Sequence, residues 1–310
     1  MIKKLKGQDV NLFIDDAIVA GSTSCSLTLT ANTADAASKS DPGDGMWDNP
    51  EFQNYSWQMS NESYVVDIAS LATLLNKVVN GDATVDVQFQ LWEDVWMAGK
   101  AIVTQLQVSA PNGDKAQLSL SLEGCTPLGT SEGLMDVERM KTSPIKGKAL
   151  MLAMQTDTEF STLAASTSHT LTVSVQTAET TTKDDNDMAT YKEVTGKSVR
   201  LSTENLLVLK EQETGVAYKD LYARMTVGET LKLAFGYYPE SVGAAAGADA
   251  DWGASQQVML SGDFVCTNLT ANGPNKENAT YTAEFQGKGM PMVAPTPEPP
   301  TRPDPVSGER

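Results

Sequence analysis

Apolar and polar residues alternate with a period of two along most of this chain. Residues 24–30 set Cys25, Leu27 and Leu29 between Ser and Thr side chains. That spacing predicts a strand with one face on a core and the other in water. Residues 10–19 read as a strand pair broken near Asp15-Asp16. Alternation returns from Trp57 and Met59 to Val66, and again at Val85, Val87, Phe89 and Leu91. Residues 67–79 differ in kind. Ile68, Leu71, Leu75 and Val78 follow helical spacing, with Asp67 placed to cap the N-terminus. Gly81 is predicted to end that helix with a positive φ. Residues 101–108 and 115–122 flank Pro111-Asn112-Gly113-Asp114, and the Asn-Gly step predicts a tight hairpin.

The pattern occurs twice. Residues 99–124 and 262–287 align without a gap at an offset of 163, placing Leu106 on Leu269, Pro111 on Pro274 and Asn112 on Asn275. Leu118, Leu120 and Leu122 fall on Tyr281, Ala283 and Phe285. Upstream, Gly7 and Leu12 match Gly147 and Leu152 at offset 140, and residues 25–29 match 169–173 at offset 144. Ser60 and Glu62 match Ser202 and Glu204 at offset 142. Drifting offsets mean small insertions in loops, where they are tolerated. The expected fold is therefore mainly β, with two tandem β-sandwich or barrel domains, each flanked by one α-helix.

We place the first domain at residues 1–127, a connector at 128–146 and the second domain at 147–290. A Pro-rich extended tail follows at 291–310. Residues 134–140 read as one helical turn in the connector. The second helix is expected around residues 220–227, ending at Gly228. An Ala-rich insertion at 243–247 occurs only in the second copy. Each copy also holds a polar stretch, 31–54 and 177–193, unusually long for a compact domain and so either functional or poorly ordered in isolation.

A chain of 310 residues is long enough for two cores. Its net charge of −17 repels phosphates and argues against a tight grip on nucleic acid. It leaves room for a channel through which DNA passes without sticking. Cys25, Cys125 and Cys266 give no disulfide framework and point to a reducing compartment. The basic residues 1–7 lack the apolar stretch of a signal peptide, and no apolar run reaches the roughly 18–20 residues of a membrane span. Synthesis in the cytoplasm, without a membrane anchor, is the expectation.

Reactive chemistry is sparse. His169 is the sole histidine and fills the slot that Cys25 occupies in the first copy. It reads as a strand residue at a domain or subunit edge. There is no Cys-x-x-Cys, and Asp184-Asp185-Asn186-Asp187 lacks the Gly and terminal Glu of a calcium loop. No phosphate-binding glycine pattern occurs. No reactive group survives as a matched pair between the copies. We therefore expect no enzyme, no cofactor and no metal site. Trp47, Phe52, Tyr55 and Trp57 cluster around the first polar stretch and read as interface anchors rather than a stacking platform for a ligand.

The order of these features resembles the major tail tube protein of long-tailed bacteriophages. The resemblance is carried by Gly7-Gln8-Asp9-Val10-Asn11-Leu12, the strand at 19–27, the Ala/Ser-rich loop at 36–41, the Trp57 strand, the helix, and the closing hairpin at 99–124. The second copy lacks counterparts of Asp9 and Trp57, so its assignment leans on the repeat. The resemblance implies β-sandwiches whose inner strands join those of neighbouring subunits into a barrel around a channel. Such rings stack into a virion tail tube, a conduit for DNA assembled in the bacterial host cytoplasm.

Single-domain members form six-fold rings, so a doubled chain implies a ring of three with pseudo-six-fold symmetry. A six-chain ring is the alternative. Implied partners are further copies of itself, the tape measure and tail terminator proteins, and genomic DNA that passes without specific binding. Contacts to the next ring or subunit are expected at Lys39, Asp41, Trp47, Phe52, Lys183 and Asp185. Two rival readings are the inner tube of a contractile tail or injection system, and a tandem β-sandwich adhesin or carbohydrate-binding module.

Overall fold

A computed structural model describes residues 7, 10–15, 17–35, 50–92, 95–131, 143–156, 159–181, 189–208, 215–237 and 257–293. The expected turn at 134–140, the acidic turn at 184–187, the insertion at 243–247 and the tail beyond Val293 lie outside them.

The first copy runs β1 (Asn11–Ile14), β2 (Ala17–Ile18), β3 (Ser22–Asp35), β4 (Pro50–Tyr64), α1 (Ile68–Asn80), β5 (Thr84–Trp92), β6 (Val95–Pro111), β7 (Gln117–Gly124) and β8 (Gly129–Ser131). The second runs β9 (Leu150–Thr156), β10 (Glu159–Thr162), β11 (Ser166–Glu179), β12 (Lys192–Leu206), α2 (Tyr218–Thr226), β13 (Leu231–Tyr237), β14 (Gln257–Asn272), β15 (Thr280–Gly287) and β16 (Met292–Val293). Strand order is β2-β1-β5-β6-β7-β4-β3 in the first and β10-β9-β13-β14-β15-β12-β11 in the second. The long strand β6 pairs with β5 through its first half and with β7 through its second. It thereby passes from one layer of a sandwich to the other, and β14 does the same in the second copy.

The repeat holds at the level of hydrogen-bond register. In the closing hairpins Ser109 pairs with Gln117 and Asn272 with Thr280, again 163 apart. A bulge falls between Val103 and Gln105 in one and between Cys266 and Asn268 in the other. At that bulge Thr104 donates to the Ser121 carbonyl at 3.1 Å, and Thr267 donates to the Glu284 carbonyl at 3.2 Å. The β3–β4 and β11–β12 ribbons share two bulges as well, at Ser22/Ser24 and Asn32/Thr33 against Ser166/Ser168 and Gln176/Thr177. Bulges fix register and bend strands, so equivalent bulges build equivalent curvature.

Alternation and burial agree. Leu118, Leu120 and Leu122 point inward from β7, and Tyr281, Ala283 and Phe285 from β15. Helix α1 buries Leu71, Leu75 and Val78 on one stripe. The Asp67 carboxylate accepts from the Ser70 and Ala69 backbone N–H groups at 2.8 and 3.3 Å. At the shorter α2, Ala217 has no side chain to cap with; the Asp220 carboxylate instead accepts from the Ala217 N–H at 3.2 Å.

Several expectations are corrected. Gly81 does end α1, but with φ −86°. Glycine is needed there for space, because a Cβ would sit 2.6 Å from the Lys77 carbonyl oxygen. Gly228, after α2, does take a positive φ of 67°. The hairpin expected at Asn112-Gly113 forms, with residues 112–116 between β6 and β7, and its connection is wide because Ala116 and Lys115 pair with the chain entering the second copy. The polar stretches are partly ladder, with residues 31–35 paired to 50–55. Gly129–Ser131 and Met292–Val293, expected to be connector and tail, add strands to β6 and β14.

Trp57 is buried beneath β7 and donates its indole N–H to the Thr126 carbonyl at 2.8 Å. A Cβ on Gly124 would lie 2.2 Å from the indole. The equivalent Gly287 faces Val199 instead, with 3.2 Å to its carbonyl oxygen. We expect Gly124→Ala to lose about 1–3 kcal/mol by overpacking, and Gly287→Ala to lose less. Urea denaturation of the two variants checks the order; equal losses would contradict the packing argument.

Candidate assembly surface

The two copies are joined edge to edge. The second half of β6 pairs antiparallel with β11, from Gln105↔Ser174 to Pro111↔Ser168. The layer β3-β4-β7-β6 of the first copy thus continues into β11-β12-β15-β14 of the second. One face of this joined sheet is apolar across the junction: Leu171 opposes Val108, and Val173 opposes Leu106. All four are fully buried. The other face pairs Thr170 with Ser109, Thr172 with Gln107 and Ser174 with Gln105. A single hydrophobic cluster runs through both copies.

The junction is reinforced by polar groups that sequence reasoning missed. Lys192 of β12 forms an ion pair with Glu123 of β7, and Thr177 of β11 donates to the same carboxylate at 2.8 Å. Burial alone would raise the Glu123 pKa. The hydrogen bonds from Lys192 and Thr177, with the Lys192 charge, outweigh it and hold the carboxyl below its usual range. Lys197 of β12 reaches back to α1, donating to the Val79 carbonyl at 3.1 Å and also to the Gly81 carbonyl. A cation there meets the negative end of the helix. Thr190 donates its backbone N–H to the Tyr55 carbonyl at 3.0 Å. The only sequence signal for these contacts was that each lies in or beside a repeated strand.

His169 sits inside the junction, opposite Ala110 and 3.0 Å by Nε2 from the Ser166 hydroxyl. Burial pushes its pKa down to about 4. The position fits a neutral packing residue.

The polar face of the joined sheet holds a trough of about 430 Å³ between β3 and β11, lined by Ser26, Thr28, Ser60, Ser121 and Thr177, among others. Hydroxyl and amide groups dominate this face. By register this face carries Glu62, Glu123, Glu204, Glu284 and Arg200, with Glu51 and Glu193 on the ribbon ends beyond it, and Lys192 meets Glu123 there. Among the described residues no group of three His, Cys, Asp or Glu could hold a metal ion, and no helix is long and apolar enough to cross a membrane.

The two outer edges of the joined sheet, β3 and the second half of β14, pair inward with β4 and β15 and have no strand on their outer side among the described residues. Leu29 on β3 is 53% exposed, whereas its counterpart Val173 is fully buried. Of the contact residues expected from sequence, Phe52 lies on β4 opposite Thr33 and is 51% exposed. Lys39, Asp41, Trp47, Lys183 and Asp185 lie outside the described residues.

The phage tail tube protein family matches residues 5–128 and 144–293, most of the chain in two stretches. The chain belongs to the phage tail tube protein family. It is a structural family, and the virion tail is where such proteins reside. The two matches, with their common strand order and bulges, make this member a tandem duplication of the tube domain. Solved structures of gene transfer agent (GTA) particles are also similar. One is titled as the tail of an empty particle computed with helical refinement and C6 symmetry, at 15% identity and a TM-score of 0.36. Another is the virion of the native particle, at 14% identity and the same TM-score. Each alignment covers 48% of this chain and 98% of the other. No curated protein matches the chain.

Two outcomes follow for the junction of this tail tube family member. Lys192→Met should cost about 1.5–3 kcal/mol, the range for a hydrogen bond to a charged group, read as a lower denaturation midpoint. Acid should act in two stages. His169 binds its proton near 6.5 when unfolded but near 4 when folded. Its contribution of about 3 kcal/mol is therefore complete above pH 6.5 and fades as pH falls toward 4. Glu123 has a depressed folded pKa, so its contribution is present above its ordinary value of 4.5 and fades below it. His169→Cys, copying Cys25, should flatten stability between pH 6.5 and 4, and Glu123→Gln only the more acidic limb. Unfolding at stepped pH distinguishes them.

Proposed function

We propose that three copies of this chain close into a ring with pseudo-six-fold symmetry, and that such rings stack into the tail tube through which phage DNA is delivered. The supporting observation is the β6–β11 ladder, which joins two tube domains into one continuous curved sheet while leaving an edge at each end. A head-to-tail contact between unlike edges makes a ring when its rotation closes. With two domains per chain, three chains supply the six domains that single-domain relatives draw from six.

The polar face of the joined sheet forms the channel wall. It is rich in neutral hydroxyl and amide groups with a modest acidic excess, and so offers DNA little to bind. DNA carries about one negative charge per 1.7 Å of axis, and a basic wall would retain it. The role is structural, without catalysis or cofactor. Assembly takes place in the host cytoplasm, with the tape measure inside the tube and a terminator at its end. The long polar stretches, with Lys39, Asp41, Trp47, Phe52, Lys183 and Asp185, face the next ring or subunit. The duplication favours a long non-contractile tail over a contractile injection tube.

Electron microscopy of the purified chain should show hollow tubes whose averaged end views have three-fold symmetry. Six-fold symmetry of whole chains would replace the three-chain ring, and dispersed monomers that bind glycans would favour the adhesin. Leu29→Lys, at an exposed edge, should abolish tubes while leaving the monomer's unfolding midpoint within about 0.5 kcal/mol of the parent's.

A further inference from the structure

The ladder inside the chain is a template for the ladder between chains. We infer that β14 of one chain pairs antiparallel with β3 of the next in the register Asn272↔Ser26, Thr270↔Thr28 and Asn268↔Thr30. This rests on the ring reading and adds to it the residues that meet.

The register follows from the repeat. Strand β14 is β6 displaced by 163, and β11 is β3 displaced by 144. The observed pairs Ser109↔Thr170, Gln107↔Thr172 and Gln105↔Ser174 therefore transfer to the three pairs above. The intervening pairs become Leu27 with Ala271 and Leu29 with Leu269.

Three observations agree with the transfer. First, chemistry matches on both faces. Apolar side chains meet apolar ones on the core face, and hydroxyls and amides meet on the other. A slip of one residue would cross the two sets.

Second, bulges bound the ladder on both strands. The internal ladder ends on β11 at Ser168, just short of the β11 bulge at Ser166/Ser168, and starts on β6 just after the bulge at Val103/Gln105. The transferred ladder ends on β3 just short of its Ser22/Ser24 bulge and starts just after the Cys266/Asn268 bulge of β14. Its far end comes at Pro274, as the internal one ends at Pro111, where proline has no N–H to continue. A slip of two residues that carries β14 toward Ser22 would keep the faces but run it past the β3 bulge.

Third, the surfaces left exposed are the counterparts of those the internal junction covers. Leu29 is exposed where Val173 is buried, and Leu269 is half-exposed where Leu106 is buried. Helix α1 lies beside β11 and β16 of the second copy. Its counterpart α2, which would lie beside β3 and β8 of the next chain, presents Tyr222 at 54% and Val227 at 75% exposure.

The two junctions differ in their charges. At the internal one Glu123 meets Thr177 and Lys192. Their counterparts at the seam are Gln286, Thr33 and Pro50. The seam between chains thus lacks the ion pair and is neutral. A reversible contact forms there, while the covalently tethered junction carries the charged lock.

Paired cysteines test the register in full-length chains carrying Cys25→Ser and Cys125→Ser. Thr28→Cys with Thr270→Cys, and Leu27→Cys with Ala271→Cys, sample the two kinds of opposed position in an antiparallel ladder, of which the non-hydrogen-bonded kind brings Cβ atoms closest. After oxidation of assembled tubes, at least one pair should give a covalent ladder ending at trimers on a non-reducing gel. Thr30→Cys with Asn272→Cys, four residues out of register, should give monomers. Cross-linking of the offset pair alone, or of no pair in variants that form tubes when reduced, overturns the register and leaves the ring reading standing. Ser26→Cys with Asn272→Cys replaces any pair that blocks tube formation. Absence of tubes from the parent chain overturns both readings.

Discussion

The β6–β11 ladder is the constraint on which the rest depends. A strand at the edge of a sheet carries a row of unpaired N–H and C=O groups, and such edges invite uncontrolled association. Each copy has two potential edges in its inner layer. The fold uses one from each copy against the other, burying Leu106, Val108, Leu171 and Val173 in doing so. The remaining edges belong to opposite ends of the joined sheet. A polymer built from this chain has one directed contact to satisfy rather than several competing ones.

Doubling the domain then has a physical use. A tether holds the two tube domains together at high effective concentration. Once tethered, the two copies are free to differ. The internal junction acquired Glu123–Lys192, the Lys197 contact to the end of α1, and His169 in the slot of Cys25. Trp57 anchors only the first copy, where Gly124 leaves it room; Val199 stands in its place in the second. Differences of this kind gather at the junction and in the connections, while the bulges and hairpin registers remain common to both.

The acidic composition has a quieter role than its size suggests. The polar face of the joined sheet is chiefly Ser, Thr, Gln and Asn, with glutamates partly offset by Lys192 and Arg200. Turned toward a channel, such hydroxyls and amides with a negative excess would let a polyanion pass.

Alternation of apolar residues by itself determined the strands, because a half-buried strand must show one face to water. The spacing of Ile68, Leu71, Leu75 and Val78 determined α1, and the ungapped match of 99–124 to 262–287 determined that there are two domains. Local rules were modulated where distant chain intervened. Asn112-Gly113 marked the hairpin, but its width was set by Ala116 and Lys115 pairing with the entry to the second copy. The lateral pairing of β6 with β11, and the meeting of Glu123 with Lys192, only the tertiary structure decided. Strand edges look alike in sequence. Which one an edge meets is set by sheet curvature and by the path of the connections, which bring together residues far apart along the chain.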